Sequence, residues 1–288
     1  MYKCGGWKII KGIGLKKQVL MCVCLLSVSG VQAQMNASSI NVMSEIVATE
    51  CADRTVEQDL TAQMTITNRH RNGSEKKNVY KRFVMNAQGR EQVYEKMLLV
   101  SEYPPEAEGM AFLRWEYTTK AAKYPDQWLY SPSLRKVRKI SVRDDQERFL
   151  GSTLTLGDIG VRAYQRDKHQ LLKAEKQGSS YIFSMKSVPK SSDDAYSKRM
   201  VTYVMDAGWD SCRIARIEYY DRKGGMLKVQ KNQWQQVGET WVWKHVEVEN
   251  LQTRELSVFE LDDVKVNVGL KDDIFSKRKL KRASSIDH

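Results

Sequence analysis

The chain has 288 residues, of which 41% are hydrophobic, and carries 47 lysines and arginines against 35 aspartates and glutamates. The formal charge of +12 is spread along the chain, whereas a nucleic-acid-binding surface needs a sharper basic cluster. Beyond the amino-terminal segment, no stretch is apolar over the about 20 residues that a membrane-spanning helix needs. These features speak against a nucleic-acid partner and against a protein with several membrane spans.

Residues 1–33 have the pattern of a cleaved secretory signal peptide. A segment with five lysines precedes an apolar run that ends near Val31, and Val31 and Ala33 are the small residues expected before a cleavage site. The run is too short for a bilayer-spanning anchor, which is the alternative interpretation. Cys22 and Cys24 lie inside the run, without the preceding small residues of a lipoprotein signal. We therefore predict cleavage after Ala33 and a soluble, unlipidated protein in the periplasm.

Removal of residues 1–33 leaves 255 residues with 42 basic and 35 acidic side chains, a net charge of +7. We predict one β domain over residues 34–282, because β barrels often reach this size. Residues 283–288 are predicted to form a disordered tail. The mild positive charge is compatible with transient contact with acidic lipid headgroups.

Cys51 and Cys212 are the cysteines that remain after residue 33. An even cysteine count in an oxidising compartment predicts a disulfide bond between them. This bond would tie an amino-terminal helix to a strand far along the chain, and closing so long a loop would contribute about 4–5 kcal/mol in the chain-entropy model. Two unpaired buried thiols are the alternative.

Hydrophobic periodicity predicts one helix followed by a series of β-strands. The helix begins at Ser38 or Ser39 and ends near residues 51–54, because its apolar residues have helical spacing. From Leu60 to Thr67 apolar and polar residues alternate, as in a half-buried strand. Further strands are predicted at residues 79–85, 93–103, 110–117, 127–130, 169–175, 181–188, 198–206, 213–220, 226–234, 241–248, 255–261 and 264–268. Tight turns between successive strands predict an antiparallel sheet.

Residues 131–160 interrupt this pattern, and we predict irregular backbone there with one or two short helical turns. A long loop of this kind in a compact β protein is usually functional, as a lid or a binding loop. The candidate lid contacts are Phe149, Leu150, Leu156 and Ile159. A basic stretch is the candidate contact for lipid headgroups or an acidic partner, with a solvated strand or loop face as the alternative: Arg135, Lys136, Arg138 and Lys139.

Catalytic and metal-binding motifs do not emerge from the sequence. The four histidines are scattered and none has a second ligand at zinc-site spacing. There is no Gly-x-Ser-x-Gly nucleophile elbow. The adjacent pairs Asp144-Asp145 and Asp262-Asp263 would point to opposite faces of a strand. We therefore expect no enzymatic activity, no cofactor and no metal.

Apolar residues occupy both faces of some predicted strands, as in Trp241–Val248, where valines and tryptophans alternate. A sheet with one solvated face shows clean alternation of apolar and polar residues. A second apolar face predicts a cavity or a covering lid, and flexible methionines on the strands suit irregular acyl chains. Ordinary core filling is the alternative for any single methionine. The candidate cavity-wall residues are Met64, Ile66, Phe83, Met97, Leu99, Phe112 and Trp128.

Five sequence blocks are distinctive in their order and spacing: Gly109–Leu113, Gln127–Ile140, Phe149–Ser152, Leu156–Asp158 and Gly269–Ser276. They resemble the outer-membrane lipoprotein-sorting protein family, the LolA-like group often encoded beside inner-membrane exporters of the RND/MMPL type. The resemblance implies a mainly β fold, an incomplete antiparallel β-barrel around a hydrophobic cavity, covered by the amino-terminal helix and the central lid.

The same resemblance implies a periplasmic carrier that binds lipids or the acyl chains of lipoproteins. Such a carrier moves its cargo between the inner and outer membranes, with an RND/MMPL-type exporter as its membrane partner, and we expect it to be a monomer. A lipid-sensing or exporter-regulating module without transfer activity is the alternative. An enzyme acting on lipids or envelope polymers would need a convergent catalytic cluster that the sequence does not present.

Overall fold

The computed structural model describes residues 37–51, 58–121, 123–141, 145–160 and 162–286. The predicted signal peptide, with its cleavage after Ala33, lies outside the described residues. One long helix, α1 (Ala37–Glu50), precedes the strands, and a short helix, α2 (Lys277–Leu280), follows them. The strands are β1 (Asp59–Arg69), β2 (Glu75–Asn86), β3 (Val93–Tyr103), β4 (Ala111–Tyr117), β5 (Asp126–Ser131), β6 (Lys136–Ile140), β7 (Asp167–Gln177), β8 (Ser180–Pro189), β9 (Lys198–Met205), β10 (Arg213–Tyr220), β11 (Met226–Val237), β12 (Thr240–Asn250) and β13 (Glu255–Val266).

The strands form one 13-stranded antiparallel sheet in the order β6-β5-β4-β3-β2-β1-β13-β12-β11-β10-β9-β8-β7. Strands that follow each other along the chain are paired, except β6 and β7, and β1 also pairs with β13, the last strand. The first and last strands therefore lie side by side in the middle of the sheet. Strands β6 and β7 are its two edges, so the sheet is not closed. This confirms the predicted incomplete antiparallel barrel.

The strand register assigns alternate residues to two faces. On β2 to β5, Phe83 lies opposite Leu98, Leu98 opposite Leu113, and Leu113 opposite Trp128. These four side chains form one buried row, and the residues between them point to the other face because side chains alternate along a strand. We call the face that carries this row the outer face and the opposite one the inner face.

The inner face is covered by two groups of apolar side chains. One group, the inner cluster, joins β1–β4, β12 and β13 to the central segment, residues 145–160. The second joins α1 to β7–β9, where Val47 is completely buried and Met43 nearly so. Ser44 on α1 accepts a hydrogen bond from the backbone N–H of Leu171 on β7, at 2.7 Å. The predicted helical cover is thus α1 on one half of the sheet and the central segment on the other.

A disulfide bond joins Cys51 at the end of α1 to Cys212 just before β10, across 161 positions of sequence. Both residues are buried. The bond that the cysteine count predicts is confirmed, and it ties α1 to the half of the sheet that it covers.

The chain after β13 turns to the outer face. The buried carboxylate of Asp59 accepts the backbone N–H groups of Val268, Gly269 and Leu270 at 2.7, 3.0 and 2.8 Å, which directs this turn. Residues 270–286 then cover the outer row of β2–β5, and Phe275 is completely buried.

The carboxyl-terminal tail is more ordered than the sequence predicts. Ala283–Ser285 form a 3-10 turn, Ala283 is only 3% exposed, and Ile286 packs against the outer cluster. The residues before this turn are mostly basic, so the sequence gives little sign that a few apolar residues pack against the outer face. Asp287 and His288 lie outside the described residues.

Candidate functional site

A cavity of about 280 Å³ lies between the inner face and the central segment. Both halves of the sheet line it, since its wall includes Leu60 and Met64 of β1 and Val201 and Tyr203 of β9. From the central segment, Phe149 and Ile159 contribute to the wall, and from α1 the carboxyl end does so. The cavity therefore occupies the interior of the incomplete barrel.

The central segment lies inside the barrel and is hydrogen-bonded to its wall. The backbone N–H of Thr153 donates to the Ser257 hydroxyl at 2.9 Å, and the Thr153 hydroxyl donates to the Val248 carbonyl at 2.9 Å. The ring of Phe149 packs edge-on against Phe112 of β4, with centroids 5.5 Å apart. These contacts connect the segment to β4, β12 and β13.

Of the four predicted lid residues, Phe149, Leu156 and Ile159 are buried in the inner cluster, and Leu150 is partly buried against it. The segment is therefore an internal plug whose apolar side chains complete the core. Phe149–Gly151 form the 3-10 turn expected near this point.

Asp158 holds the central segment to the opposite side of the barrel. Its carboxylate forms an ion pair with Lys228 of β11, and both side chains are at most 2% exposed. It also accepts hydrogen bonds from the Tyr196 hydroxyl at 2.8 Å and from the Thr155 N–H and hydroxyl at 2.7 and 2.9 Å. Burial alone raises the pKa of Asp158, but Lys228 and these donors outweigh burial and hold the pKa below its usual value.

A second attachment point is Arg114 on β4, which is only 5% exposed. Its guanidinium donates to Glu116 at 2.6 and 2.9 Å, to Gln127 at 2.9 Å and to the Leu156 carbonyl at 3.2 Å. Gly160 lies against this pair with φ of +88°, and a Cβ there would come within 2.8 Å of both charged groups. The close approach and the left-handed backbone together require glycine at this position.

A buried network of two arginines and two aspartates stands at the β7–β9 side of the cavity. Arg162 donates to Asp167 at 2.7 Å and to Asp194 at 2.7 Å, and Arg199 donates to Asp194 at 3.2 Å. The Arg199 guanidinium also lies over the Tyr196 ring, 4.6 Å from its centroid. The network is balanced in charge, which favours a structural role.

A serine and a histidine also face the cavity from this side. The His169 Nδ1 atom lies 2.9 Å from the Ser187 hydroxyl, and its Nε2 atom lies 2.8 Å from the Tyr164 carbonyl. Because a carbonyl only accepts, the ring proton belongs on Nε2 and Ser187 donates to Nδ1. A nucleophilic serine has the same hydrogen bond to its base, but here the ring is oriented by a carbonyl rather than by a carboxylate.

The predicted cavity-wall residues divide between the two faces of the sheet. Five belong to the inner cluster or pack against it, and of these Met64 and Met97 line the cavity directly: Met64, Ile66, Met97, Leu99 and Phe112. The other two, Phe83 and Trp128, lie in the outer row under the carboxyl-terminal segment. Sequence alternation does not distinguish two buried faces, so Phe83 and Trp128 were assigned to the inner one incorrectly.

Sequence reasoning missed the charged residues of the wall, notably Arg82, Glu95 and Arg114. The signal that would reveal them is parity. Residues two positions apart on a strand point to the same face. Arg82 therefore shares the inner face of β2 with Val84, and Glu95 shares the inner face of β3 with Met97. A charge inside an otherwise apolar face is uncommon and marks a site worth attention.

The predicted basic stretch lies at the β5–β6 edge of the sheet, where β6 is largely exposed. Lys139 pairs with Asp126 at 2.6 Å, and Arg138 approaches Glu147 at 3.5 Å. Arg135 and Lys136 are exposed at the turn between these strands. Part of the stretch is thus engaged in ion pairs within the protein.

Among the described residues, no group of histidine, cysteine, aspartate and glutamate side chains has the geometry to hold a metal ion. Over the same part of the chain, none of the helices has both the length and the apolar character to cross a bilayer.

Comparisons with known proteins agree on the fold. A family model described as that of an uncharacterized protein matches residues 93–282. An outer membrane lipoprotein-sorting protein domain from Vibrio parahaemolyticus aligns with a TM-score of 0.72 at 24% identity, covering 86% of this chain and 100% of that one. A DUF1329 family protein from Desulfovibrio piger aligns with a TM-score of 0.69 at 21% identity, covering 84% and 96%.

A LolA superfamily protein from Nitrosomonas europaea aligns with a TM-score of 0.56 at 18% identity, covering 85% of this chain and 99% of the other. No curated protein sequence matches the chain. The structural likenesses extend over almost the whole length of each of the three proteins, so they concern the complete barrel with its covers.

Proposed function

Because the chain belongs to the family whose model spans residues 93–282 and has the LolA-like fold, we propose that it is a periplasmic carrier of lipids or lipidated proteins. One observation carries the proposal: an incomplete barrel encloses a cavity of about 280 Å³ with mainly apolar walls and an internal plug. An acyl chain in water costs about 0.8 kcal/mol for each exposed methylene, so a protein that carries one through the periplasm must enclose it.

Two features of the chain support the periplasm as its compartment. Residues 1–33 have the pattern of a signal peptide cleaved after Ala33, and Cys51 and Cys212 form a buried disulfide bond of the kind that persists in oxidising compartments. We infer that residues 34–286 form a single periplasmic domain. The carrier would take up and release its cargo by displacement of the plug.

The candidate wall residues Met64, Ile66, Met97, Leu99 and Phe112 would contact the acyl chain, and the plug residues Phe149 and Ile159 would give way to it. The exposed basic residues at the β5–β6 turn, Arg135 and Lys136, would meet acidic headgroups during membrane contact. An inner-membrane RND/MMPL-type exporter would supply or receive the cargo, with the protein acting as a monomer.

Transfer of a fluorescent fatty acid between two vesicle populations tests this function. A carrier makes the transfer rate rise with protein concentration. In the same assay with a fluorescent phospholipid, the ester bonds should stay intact, which would exclude hydrolysis at the Ser187–His169 pair. Binding without faster transfer would contradict the carrier and identify the alternative, a lipid-sensing or exporter-regulating module. The buried ion pair of Asp158 favours that alternative, since it holds the plug firmly in place.

A further inference from the structure

Two charged side chains, Arg82 and Glu95, lie on the cavity wall, and one of them has a buried donor without an acceptor in the described part of the chain. Arg82 of β2 has a buried Nε–H that finds no hydrogen-bond acceptor among the described residues. Glu95 of β3 is partly buried nearby and interacts electrostatically with Arg82. Both line the cavity. An unsatisfied buried polar group is costly, and its retention in a fold calls for an explanation.

The strand register explains why the two do not satisfy each other. On the inner face, Arg82 lies opposite Leu99 and Glu95 lies opposite Asn86, with the Val84–Met97 pair between them. The two charged groups are therefore separated by one apolar rung of the β2–β3 ladder. They are close enough for each to act on the other electrostatically.

The neighbouring charges come from β2 and β4. Burial raises the pKa of Glu95 to about 7, Glu116 adds to this effect, and Arg82 and Arg114 oppose it. Arg114 is already paired with Glu116, so Arg82 is the cation left to Glu95. Near neutral pH, Glu95 can therefore present either a carboxylate or a carboxylic acid to the cavity, and the acid form is a hydrogen-bond donor.

We propose that Arg82 and Glu95 bind the acidic head group, a carboxylic acid or a phosphate monoester, of a single-chain amphiphile whose acyl chain lies in the cavity. The Arg82 Nε–H donates to an oxygen of the head group, and the protonated Glu95 donates to another. The apolar rung between them, Val84 and Met97, contacts the first methylenes of the chain. This inference rests on the proposed carrier function and adds to it the chemical class of the ligand.

The size of the cavity supports one chain rather than several. Its volume of about 280 Å³ is near the lower end of the range of about 300–1,000 Å³ found for small-molecule pockets. The other unpartnered donor on the wall, Nη1 of Arg199, is less suited to an anion. Asp167 lies 4.0 Å from it and Asp194 binds the same guanidinium, so an anion there would be repelled.

Calorimetric titration with three amphiphiles of equal chain length tests the proposal: dodecanoic acid, dodecyl phosphate and methyl dodecanoate. We expect the wild-type protein to bind one or both acids at least about tenfold more tightly than the ester, the effect of a charge-assisted hydrogen bond. Arg82→Gln should lose this preference and bind the ester as before. Arg69→Gln removes an exposed arginine from the neighbouring strand β1 and should bind like the wild type.

A second experiment tests the role of Glu95 independently of Arg82. Affinity for dodecanoic acid should fall as the pH rises from about 6 to 8, because ionised Glu95 repels the head group. Glu95→Gln should bind with a flat pH profile, while Glu102→Gln, an exposed change on the same strand, should keep the slope. Equal affinity of the wild type for acid and ester, or an unchanged slope in Glu95→Gln, would overturn the proposal. Failure of all three amphiphiles to bind would contradict the carrier function itself.

Discussion

Asp158 and Lys228 form an ion pair that is almost completely excluded from solvent, beside the rings of Tyr196 and Tyr219. Such a pair adds little stability compared with apolar residues of the same size, but removing one partner leaves an uncompensated buried charge. The pair joins the plug to β11, on the opposite side of the barrel from Arg114. We therefore regard Asp158 as the residue that determines whether the plug stays in place.

Asp158→Asn should lower the free energy of unfolding by about 3–5 kcal/mol, because Lys228 is left buried without its counter-charge. Urea unfolding followed by tryptophan fluorescence measures this change. Asp193→Asn, in an exposed loop, is the matched control and should have little effect. A stability equal to that of the wild type would show that the pair does not hold the plug.

The pH dependence of this contribution has a definite sign. The pKa of Asp158 is lowered in the folded protein, so the ionised carboxylate stabilises the fold. The contribution is complete above the unfolded-state pKa of about 4 and is lost as the pH falls through the lower pKa of the folded state. We expect the stability difference between the wild type and Asp158→Asn to shrink below about pH 4, as measured by urea unfolding at a series of pH values.

Among the elements, the central segment decides whether the cavity is closed. It crosses the inner face and is fixed to β12 and β13 by Thr153, whose N–H lies 2.9 Å from the Ser257 hydroxyl. The proposed function requires part of this segment to move when a ligand enters the barrel. Segments that move during ligand binding usually belong to the less stable parts of a fold. In this protein the hydrogen bonds and the ion pair that attach the plug are buried.

Thr153→Cys combined with Ser257→Cys should place a disulfide bond between the plug and β13. Under oxidising conditions this variant should lose uptake of a fluorescent fatty acid, and mild reduction should restore it, because the plug is then free to move. The wild type with and without reductant controls for the native disulfide. Uptake by the oxidised, crosslinked protein would show that the plug does not have to move.

The native disulfide belongs to the helical cover. Replacing both Cys51 and Cys212 by serine should lower stability by up to about 5 kcal/mol, since the bond closes a loop of 161 positions. Reductant should lower the urea midpoint of the wild type and leave that of the double serine variant unchanged. Two labelled thiols in unfolded, unreduced wild-type protein would contradict the bond.

The carboxyl-terminal segment should affect stability without affecting the cavity. Phe275 is fully buried on the outer face, so Phe275→Ala should cost about 3–5 kcal/mol of folding stability. The number of acyl chains bound per folded protein should stay the same, because the inner face is untouched. Thermal unfolding together with ligand titration checks both expectations, and a changed stoichiometry would mean that the two faces are coupled.

The sequence predicts the elements well, because strand alternation and turn residues are local signals. It predicts α1 for the same reason. It misses β6, which lies inside residues 131–160, the stretch predicted to be irregular. It does not predict which buried face is inner, and Phe83 and Trp128 were misplaced because residues 270–286 make the outer face apolar too. Nor does it predict that the plug is internal, since the contact of Asp158 with Lys228 joins residues 70 positions apart.

For the whole molecule, the open edge between β6 and β7 is the feature that suits a carrier. A closed barrel would trap its contents, whereas an incomplete one can widen where two edge strands lack partners. The plug starts from one edge strand and returns to the other, so its displacement and the widening of this gap would occur together. The mild positive charge of the chain would favour approach to acidic membrane surfaces during the proposed exchange.

Mass spectrometry of organic extracts tests the central claim most directly, with protein purified from the periplasm and washed free of detergent. The account predicts an acyl-chain ligand at a stoichiometry near one per folded protein, and its release after the plug is destabilised by Asp158→Asn. Extracts without any acyl-chain ligand, together with no binding of a fluorescent fatty acid by the same preparation, would contradict it.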